Sequence, residues 1–314
     1  MMSNKIVVVM GGPSSEAEVS RRSGNAILNA LKSKKYDVVG LELVPDTFVD
    51  QLRELKPDIV FNALHGKFGE DGIIQGTLDM LGIPYTSSGV RASAVTMDKV
   101  ATKHFFHAAG VPTPKYRTYF VFEYERRNLV QEILEEFSVP VVIKASSQGS
   151  SIGVVIVNAP EELDAALKEA FKYDREILVE EFIKGRELTV AVFGDEEKQE
   201  ALPIIEITTA TGWYDYENKY KVGGSQHIIP APIADELTQQ VQKIACRAFA
   251  ACGCSGVARV DFMLNTDDDK PYAIEVNTVP GMTETSLVPD AGRAAGIEFP
   301  DLCQKILQLA GFKE

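Results

Sequence analysis

The chain is short of cysteine, of positive charge and of long apolar runs, and each shortage closes off a class of function. Its four cysteines, Cys246, Cys252, Cys254 and Cys303, lack zinc-finger spacing, and no paired histidine or cysteine motif accompanies Cys252-Gly253-Cys254. Buried free thiols in a reducing compartment are expected. The net charge of −13 opposes non-specific binding to nucleic acid or to an anionic membrane, so neither is expected as a partner. No apolar stretch approaches the roughly 20 residues that span a bilayer. Ile6–Met10 is too short for the apolar core of a signal peptide, and a cytoplasmic location is expected. Three motifs are also missing: a Gly-x-Gly-x-x-Gly dinucleotide loop, a Walker A loop, and a convincing Ser-His-Asp or Cys-His set. No internal repeat, low-complexity segment or long linker interrupts the chain.

What is present is the length and composition of a soluble globular protein. At 314 residues, with 45% apolar and 25% charged content, two or three domains are expected. The continuous run Ile6–Met10 reads as a strand buried on both faces. Helical spacing through Val19, Ala26, Ile27, Ala30 and Leu31 follows it. Strands are then predicted at Val38–Val44, Asp58–Leu64 and around Pro84–Thr86, with helices at Thr47–Leu55 and Gly69–Leu81. This βαβαβαβ succession predicts a parallel sheet with helices on both faces, a domain over residues 1–98. Residues 99–187 read as a small α+β domain. Its helix over Lys99–Ala109 is followed by strands at Val139–Ala145, Ile152–Val157 and Ile177–Phe182, with one further helix from Pro160 to Tyr173. Residues 188–314 carry long strands, a helix at Ala234–Ala251, a hairpin and two terminal helices.

That hairpin is the most informative segment. Val257–Leu264 and Pro271–Asn277 both alternate with the period of a strand. Ala258, Val260, Phe262 and Leu264 share one face, with Arg259 and Asp261 opposite. Tyr272, Ile274 and Val276 share a face, with Ala273, Glu275 and Asn277 opposite. Paired, the strands rest an apolar face on a core and present Arg259, Asp261, Glu275 and Asn277 together. Two carboxylates and an amide oxygen suit Mg²⁺, and the arginine supplies a positive fork for developing negative charge. A solvated outer face is the competing reading. The missing lysine and threonine, and the irregular turn Thr278–Met282 that follows, weigh against it.

Lys144 ends an apolar strand and opens Ala145-Ser146-Ser147-Gln148-Gly149-Ser150-Ser151-Ile152-Gly153, whose small residues let backbone N–H groups approach a phosphate; a hairpin turn is the plainer alternative. Glu180, Glu181 and Glu187 cluster where the second and third domains join, where Glu187 suits ribose hydroxyls. His65-Gly66-Lys67-Phe68-Gly69-Glu70-Asp71-Gly72 follows a strand and opens a helix at the carboxyl edge of the sheet, where open α/β sheets bind ligands. Glu70 and Asp71 could there simply complement the helix dipole. Gly11–Glu16 occupies the first such crevice, and Glu16 suggests an ammonium partner. Trp213–Gly224 reads as an aromatic lid, and Asp267–Asp269 as a solvated turn.

From Gly11 to the C-terminus these motifs resemble the D-alanine–D-alanine ligases of the ATP-grasp superfamily. His65-Gly66-x-x-Gly69-Glu70-Asp71-Gly72 and Arg259-Val260-Asp261…Glu275-Val276-Asn277-Thr278-x-Pro280-Gly281 carry the likeness. It implies a three-domain α/β fold: a parallel α/β N-terminal domain, a small central α+β domain and a C-terminal α+β domain with an antiparallel sheet. ATP would sit between the last two. The likeness further implies that Lys99, Lys144, Ser150, Ser151 and Gly153 meet the ATP phosphates, and that Glu180, Glu181, Ile183 and Glu187 line the adenosine pocket. Asp261, Glu275 and Asn277 would hold two Mg²⁺ (or Mn²⁺). Glu16 would take the first D-alanine's ammonium and form a set with Ser150 and Tyr220, with His65 near that substrate and Lys219 reaching the transferring phosphate. Arg259 and the Gly281 N–H would stabilise the oxyanion, while Ser286 and the Leu287 N–H would receive the second carboxylate. A homodimer is implied. Ala145 stands where a proline is frequent, and Tyr220 favours an amine over D-lactate as second substrate. Another ATP-grasp carboxylate–amine ligase and a non-catalytic nucleotide-binding regulator are the rivals.

Overall fold

The computed structural model describes residues 5–149, 152–195, 197–209 and 224–312. In the first unit β1 (Lys5–Met10) lies between β2 (Asp37–Glu42) and β3 (Ile59–Asn62), all parallel. The continuous apolar run is explained by its two faces. Ile6 and Val8 pack with Ile27 and Leu31 of α1 (Ala17–Ser33). Val7 and Val9 pack with Leu52 of α2 (Phe48–Leu55) and Leu78 of α3 (Ile73–Leu81). The strand expected at Pro84–Thr86 is reduced to isolated bridges from Tyr85 to Val60 and to Gly311. The helix expected from Gly69 starts only at Ile73, because Phe68 (φ 70°) and Gly72 (φ 93°) are left-handed and break the helical path. The histidine motif is therefore a loop, not a helix opening. Asp71 braces it by accepting from Phe68 N–H at 2.9 Å and Ile73 N–H at 3.1 Å.

The second sheet runs β4 (Tyr116–Phe120), β7 (Glu176–Glu181), β5 (Val141–Ala145), β6 (Val154–Val157), antiparallel throughout. Its apolar face packs beneath α7 (Leu129–Glu136) and α8 (Leu163–Ala170) through Ile133, Leu167, Ile143 and Val179. The opposite face, by alternation, carries Val142, Lys144 and Glu180. Neither β4, nor the short α6 (Val121–Tyr124) that follows it, nor α7 is among the elements expected from sequence.

The third sheet is six-stranded and antiparallel, in the order β11 (Ser225–Ile228), β10 (Ile205–Thr209), β8 (Gly185–Gly194), β12 (Gly256–Asn265), β13 (Pro271–Asn277), with β9 (Gln199–Ala201) beside β8. One face packs under α9 (Asp235–Ala251), through Val190, Val260 and Phe262 against Val241, Ala245 and Phe249. Ala92 of α4 (Val90–Met97) and Phe106 of α5 (Lys99–Ala108) join that same core. The other face, through Ala191 and Ile207, shares a core with the first sheet's Ile6 and Val8 and with Leu287 of α10 (Leu287–Ala294). Packing thus ties α5 to the third sheet although it precedes the second, and β8 begins at Gly185, before the expected junction at 187/188. No helix among the described residues is long and apolar enough to cross a membrane.

Candidate functional site: a double cleft between the sheets

The hairpin forms, with one departure from strict alternation. Arg259 lies opposite Asn277, Val260 opposite Val276 and Asp261 opposite Glu275, but Phe262 then pairs with Ala273, so Ile274 is an extra residue. This bulge reverses the parity of the second strand. Pro271 and Ala273 turn into the core, while Tyr272, Ile274 and Glu275 are half-buried on the other side. The expected grouping of Ala273 with Glu275, and of Tyr272 and Ile274 with Val276, is corrected accordingly. The polar group itself does assemble. Arg259 Nε and Nη2 donate to Asp261 Oδ1 and Oδ2, each at 2.8 Å. Asn277 Nδ2 donates to Oδ2 at 2.9 Å, and Thr189 Oγ1 to Oδ1 at 2.5 Å.

Two clefts meet at this ribbon. The first encloses about 1130 Å³, open to solvent, between the second and third sheets. Lys99, Lys144, Glu180, Glu181, Ile183, Glu187, Asp261 and Glu275 all line it, with Val142, Met263 and Ile274 as apolar walls. Lysine and carboxylate side chains thus share the cleft with apolar walls, a lining that suits a nucleotide. Glu180 is not a free polar edge. Its carboxylate is buried between Lys103 Nζ at 2.5 Å and Lys144 Nζ. Burial would push Glu180 up, but the two ammonium groups reverse this and hold it below the usual carboxylate range. Lys99 starts α5, whose N-cap Asp98 accepts from Val100 and Ala101 N–H and also from Ser146 Oγ at 2.8 Å. Lys99 Nζ donates to Gln148 O, so the glycine-rich loop is tied to the helix end. Gly153 closes that loop in a left-handed conformation (φ 69°).

The second cleft, about 1120 Å³, is lined by Glu16, His65, Glu70, Gly149, Arg259, Asn277, Gly281, Ser286 and Leu287, and it shares Lys99 and Glu275 with the first. Glu16 lies close to Gly66 and Gly149; a Cβ at Gly66 would come within 2.8 Å of its carboxylate. His65 is placed differently from a simple substrate contact. Its Nδ1 lies 3.0 Å from the Val279 carbonyl, which can only accept, so Nδ1 carries the proton. Nε2 then accepts from Ser23 Oγ at 3.1 Å, and Ser23 Oγ accepts from Met282 N–H at 3.2 Å. Burial pushes the imidazole down, with Glu16 opposing, so it stays neutral. The histidine and Ser23 together hold the Val279–Met282 turn. At its centre a Gly281 Cβ would lie 2.7 Å from Ser286 Oγ, which explains the glycine. Ser286 Oγ accepts from Thr283 N–H at 3.0 Å, and Leu287 opens α10, whose N-terminus faces this cleft. Glu70 accepts from Gly66 N–H at 2.6 Å and does not cap a helix. Burial, then the charge of Glu16, pushes its carboxyl up to about 8.

The donor set suits a hard cation. Its atoms are carboxylate and amide oxygens, and among the described residues no three His, Cys, Asp or Glu side chains converge to cage a metal. An Mg²⁺ held by Asp261, Glu275 and Asn277 would therefore complete its shell from water and phosphate oxygens. Ser150, Ser151, Lys219 and Tyr220, and all of the expected lid Trp213–Gly224 except Gly224, lie outside the described residues. Sequence reading missed Lys103, Ser23, Asp98 and Thr189 as parts of this site, and took Ser146 only as one of the small residues of the glycine-rich loop. Only Lys103 carried a signal, four residues after Lys99 and so on the same helical face.

Two antiparallel sheets closing on a lysine- and carboxylate-lined nucleotide cleft, with a second polar pocket at its end, define an ATP-grasp enzyme. Residues 105–308 match the family described as D-ala D-ala ligase C-terminus, and residues 45–88 the one described as D-ala D-ala ligase N-terminus. A D-alanine–D-alanine ligase of Moorella thermoacetica is 50% identical over 308 residues, covering 98% of this chain and 99% of its own. The crystal structure of the Bacillus anthracis D-alanine–D-alanine ligase complexed with ATP superposes with a TM-score of 0.84 at 35% identity, covering 98% of this chain and 97% of that one. The VanG D-Ala:D-Ser ligase of Enterococcus faecalis gives 0.85 at 31% identity, covering 98% and 99%. The chain belongs to the D-alanine–D-alanine ligase family, whose members are ATP-dependent ligases.

Proposed function

We propose that the chain joins two D-alanines into D-alanyl-D-alanine at the expense of ATP, yielding ADP and phosphate and supplying the dipeptide for peptidoglycan precursors in the cytoplasm. The observation that carries this reading is the meeting of the two clefts at Lys99 and Glu275. A γ-phosphate at the end of the first cleft then faces a carboxylate held in the second.

A carboxylate is a poor electrophile, and ATP corrects this. One oxygen of the first D-alanine's carboxylate attacks the γ-phosphorus, the bond to the β-phosphate oxygen breaks, and ADP leaves. The second D-alanine's amine attacks the acylphosphate carbon. The tetrahedral oxyanion collapses, phosphate leaves, and the nitrogen loses its proton. Glu16 receives the first ammonium. Lys99 and Lys144, with Ser150, Ser151 and Gly153, hold the phosphates, and Lys219 reaches the transferring group. Glu181, Ile183 and Glu187 seat the adenosine. Arg259 and the Gly281 N–H take the oxyanion's charge, and Ser286 with the Leu287 N–H takes the second carboxylate, using a helix N-terminus for an anion. Glu16, Ser150 and Tyr220 seat the lid that excludes water. Two Mg²⁺ or Mn²⁺ ions on Asp261, Glu275 and Asn277 would neutralise the phosphates. The working form is a homodimer.

The test is ADP formation with D-alanine, ATP and Mg²⁺, each omitted in turn, with the product identified by mass spectrometry. D-alanine-dependent ADP release yielding the dipeptide is expected. ADP formation with D-lactate or D-serine as the sole acceptor, or none with D-alanine, overturns the reading.

A further inference from the structure

We propose that Lys103 is the resident counter-ion of Glu180, a positioning residue that frees Lys144 to leave Glu180 for the phosphates of the bound nucleotide. This deepens the function above and rests on Lys144 being a phosphate contact.

The geometry is a buried carboxylate between two ammonium groups. The Lys103 side chain is 1% exposed, that of Glu180 2% and that of Lys144 9%. Lys144 and Glu180 occupy one face of the adjacent strands β5 and β7. Lys103 arrives from α5, four residues after Lys99. The three are not equivalent. Lys144 and Glu180 line the nucleotide cleft, and Lys103 does not. Lys103 is also anchored from behind, where its Nζ donates to Thr113 Oγ1 at 2.5 Å and Thr113 Oγ1 donates to Ala273 O at 2.7 Å. One lysine is thus fixed away from the ligand, while the other borders it.

A buried carboxylate stripped of its only cation is strongly disfavoured. With a single lysine, Glu180 and the incoming phosphates would compete for the same ammonium, and each would weaken the other's hold. A second, permanent lysine removes the conflict. Lys144 can turn to the phosphate while Lys103 keeps Glu180 ionised and in place as a wall of the cleft. The Thr113 link ends on Ala273, beside the bulged Ile274 and Glu275. It therefore fixes Lys103 against the strand that carries the proposed metal donor.

The experiment measures the affinity of the full chain for Mg²⁺ with a non-hydrolysable ATP analogue, by calorimetry, in a mutant cycle of Lys103→Met, Glu180→Gln and the double variant. Lys103→Met should weaken the analogue by at least ~10-fold, because Lys144 becomes Glu180's sole partner. In the Glu180→Gln background the same substitution should change affinity by less than about threefold, since no carboxylate remains to compete with the phosphates for Lys144. Lys103→Arg, which keeps the charge, should stay near wild type. A structural role alone would cost the same in both backgrounds. An unchanged Lys103→Met affinity, or an equal loss in the wild-type and Glu180→Gln backgrounds, overturns the proposal. Should Lys103→Met fail to fold, the double variant has no buried carboxylate to strand; a gap beyond threefold between it and Glu180→Gln then overturns the proposal, and agreement supports it. Lys144→Met is the control for the underlying reading. If it leaves the analogue's affinity unchanged, the assignment of Lys144 to the phosphates fails. If it weakens binding while Lys103→Met does not, the counter-ion role alone fails.

Discussion

Asp261 accepts from Arg259, Thr189 and Asn277 at once, so three protein donors orient the group proposed to hold a cation. The arginine is therefore given two roles, as partner of Asp261 and as the proposed oxyanion donor. Arg259→Ala should lower turnover by roughly 10²–10³, the cost of a lost oxyanion donor. The affinity for the ATP analogue should stay close to wild type, because Thr189 and Asn277 still orient Asp261. Steady-state kinetics beside calorimetry checks this, and near-normal turnover would remove the oxyanion assignment. Arg259, Asp261, Glu275 and Asn277 were legible in sequence because each sits on a regular strand with polar neighbours at a spacing of two. Ser23 was not, and Lys103 was signalled only by its helical spacing from Lys99. Each lies within an amphipathic helix, where a single polar residue on the inner face leaves the pattern unchanged, and its partner comes from a distant segment.

At the scale of elements, the histidine loop replaces the first turn of the expected helix, and it sets two carboxylates, Glu16 and Glu70, about one glycine. Glu70 has its carboxyl raised from the ordinary carboxylate value to about 8, chiefly by burial and then by Glu16. A raised carboxyl binds more protons in the folded than in the unfolded chain between its ordinary value near pH 4.5 and pH 8. Its contribution to stability is therefore fully present at the acid end and is lost as pH rises through that window. The urea midpoint of the ligand-free protein should fall from pH 5 to pH 8, and Glu70→Gln, which mimics the protonated group, should flatten that fall. An equal slope in the variant would show that other groups set it. The pattern-based reading of elements succeeded where strands are buried on both faces, as in β1, or alternate cleanly, as in β12. It failed at β4, an edge strand whose burial alternates weakly, and at the Ile274 bulge. There, a residue inserted into a period of two still reads as an apolar position, while its backbone shifts every later side chain to the other face.

Across the whole molecule, no single unit contains the site. The first sheet contributes Glu16 and His65, the second Lys144 and the glycine-rich loop, and the third the Arg259–Asn277 ribbon. The loop joins the two clefts physically. Gln148 and Gly149 both line the second cleft; Gln148 O holds Lys99, which the two clefts share, and Gly149 lies beside Glu16, where an added Cβ would be 3.5 Å from its carboxylate. A ligand that fixes Lys99, and Gln148 with it, from either cleft removes part of the ordering cost for the other, which gives positive coupling without a second global state. Saturating D-alanine should therefore tighten the ATP analogue with Mg²⁺, within the ~5–150-fold range usual for coupled sites. Thermodynamic linkage then requires the analogue to tighten D-alanine by the same factor. Calorimetric titration of each ligand with and without the other reads both numbers. Equal affinities in the two conditions would mean that the clefts, though they share Lys99 and Glu275, fill independently. The loop would then have no part in joining them.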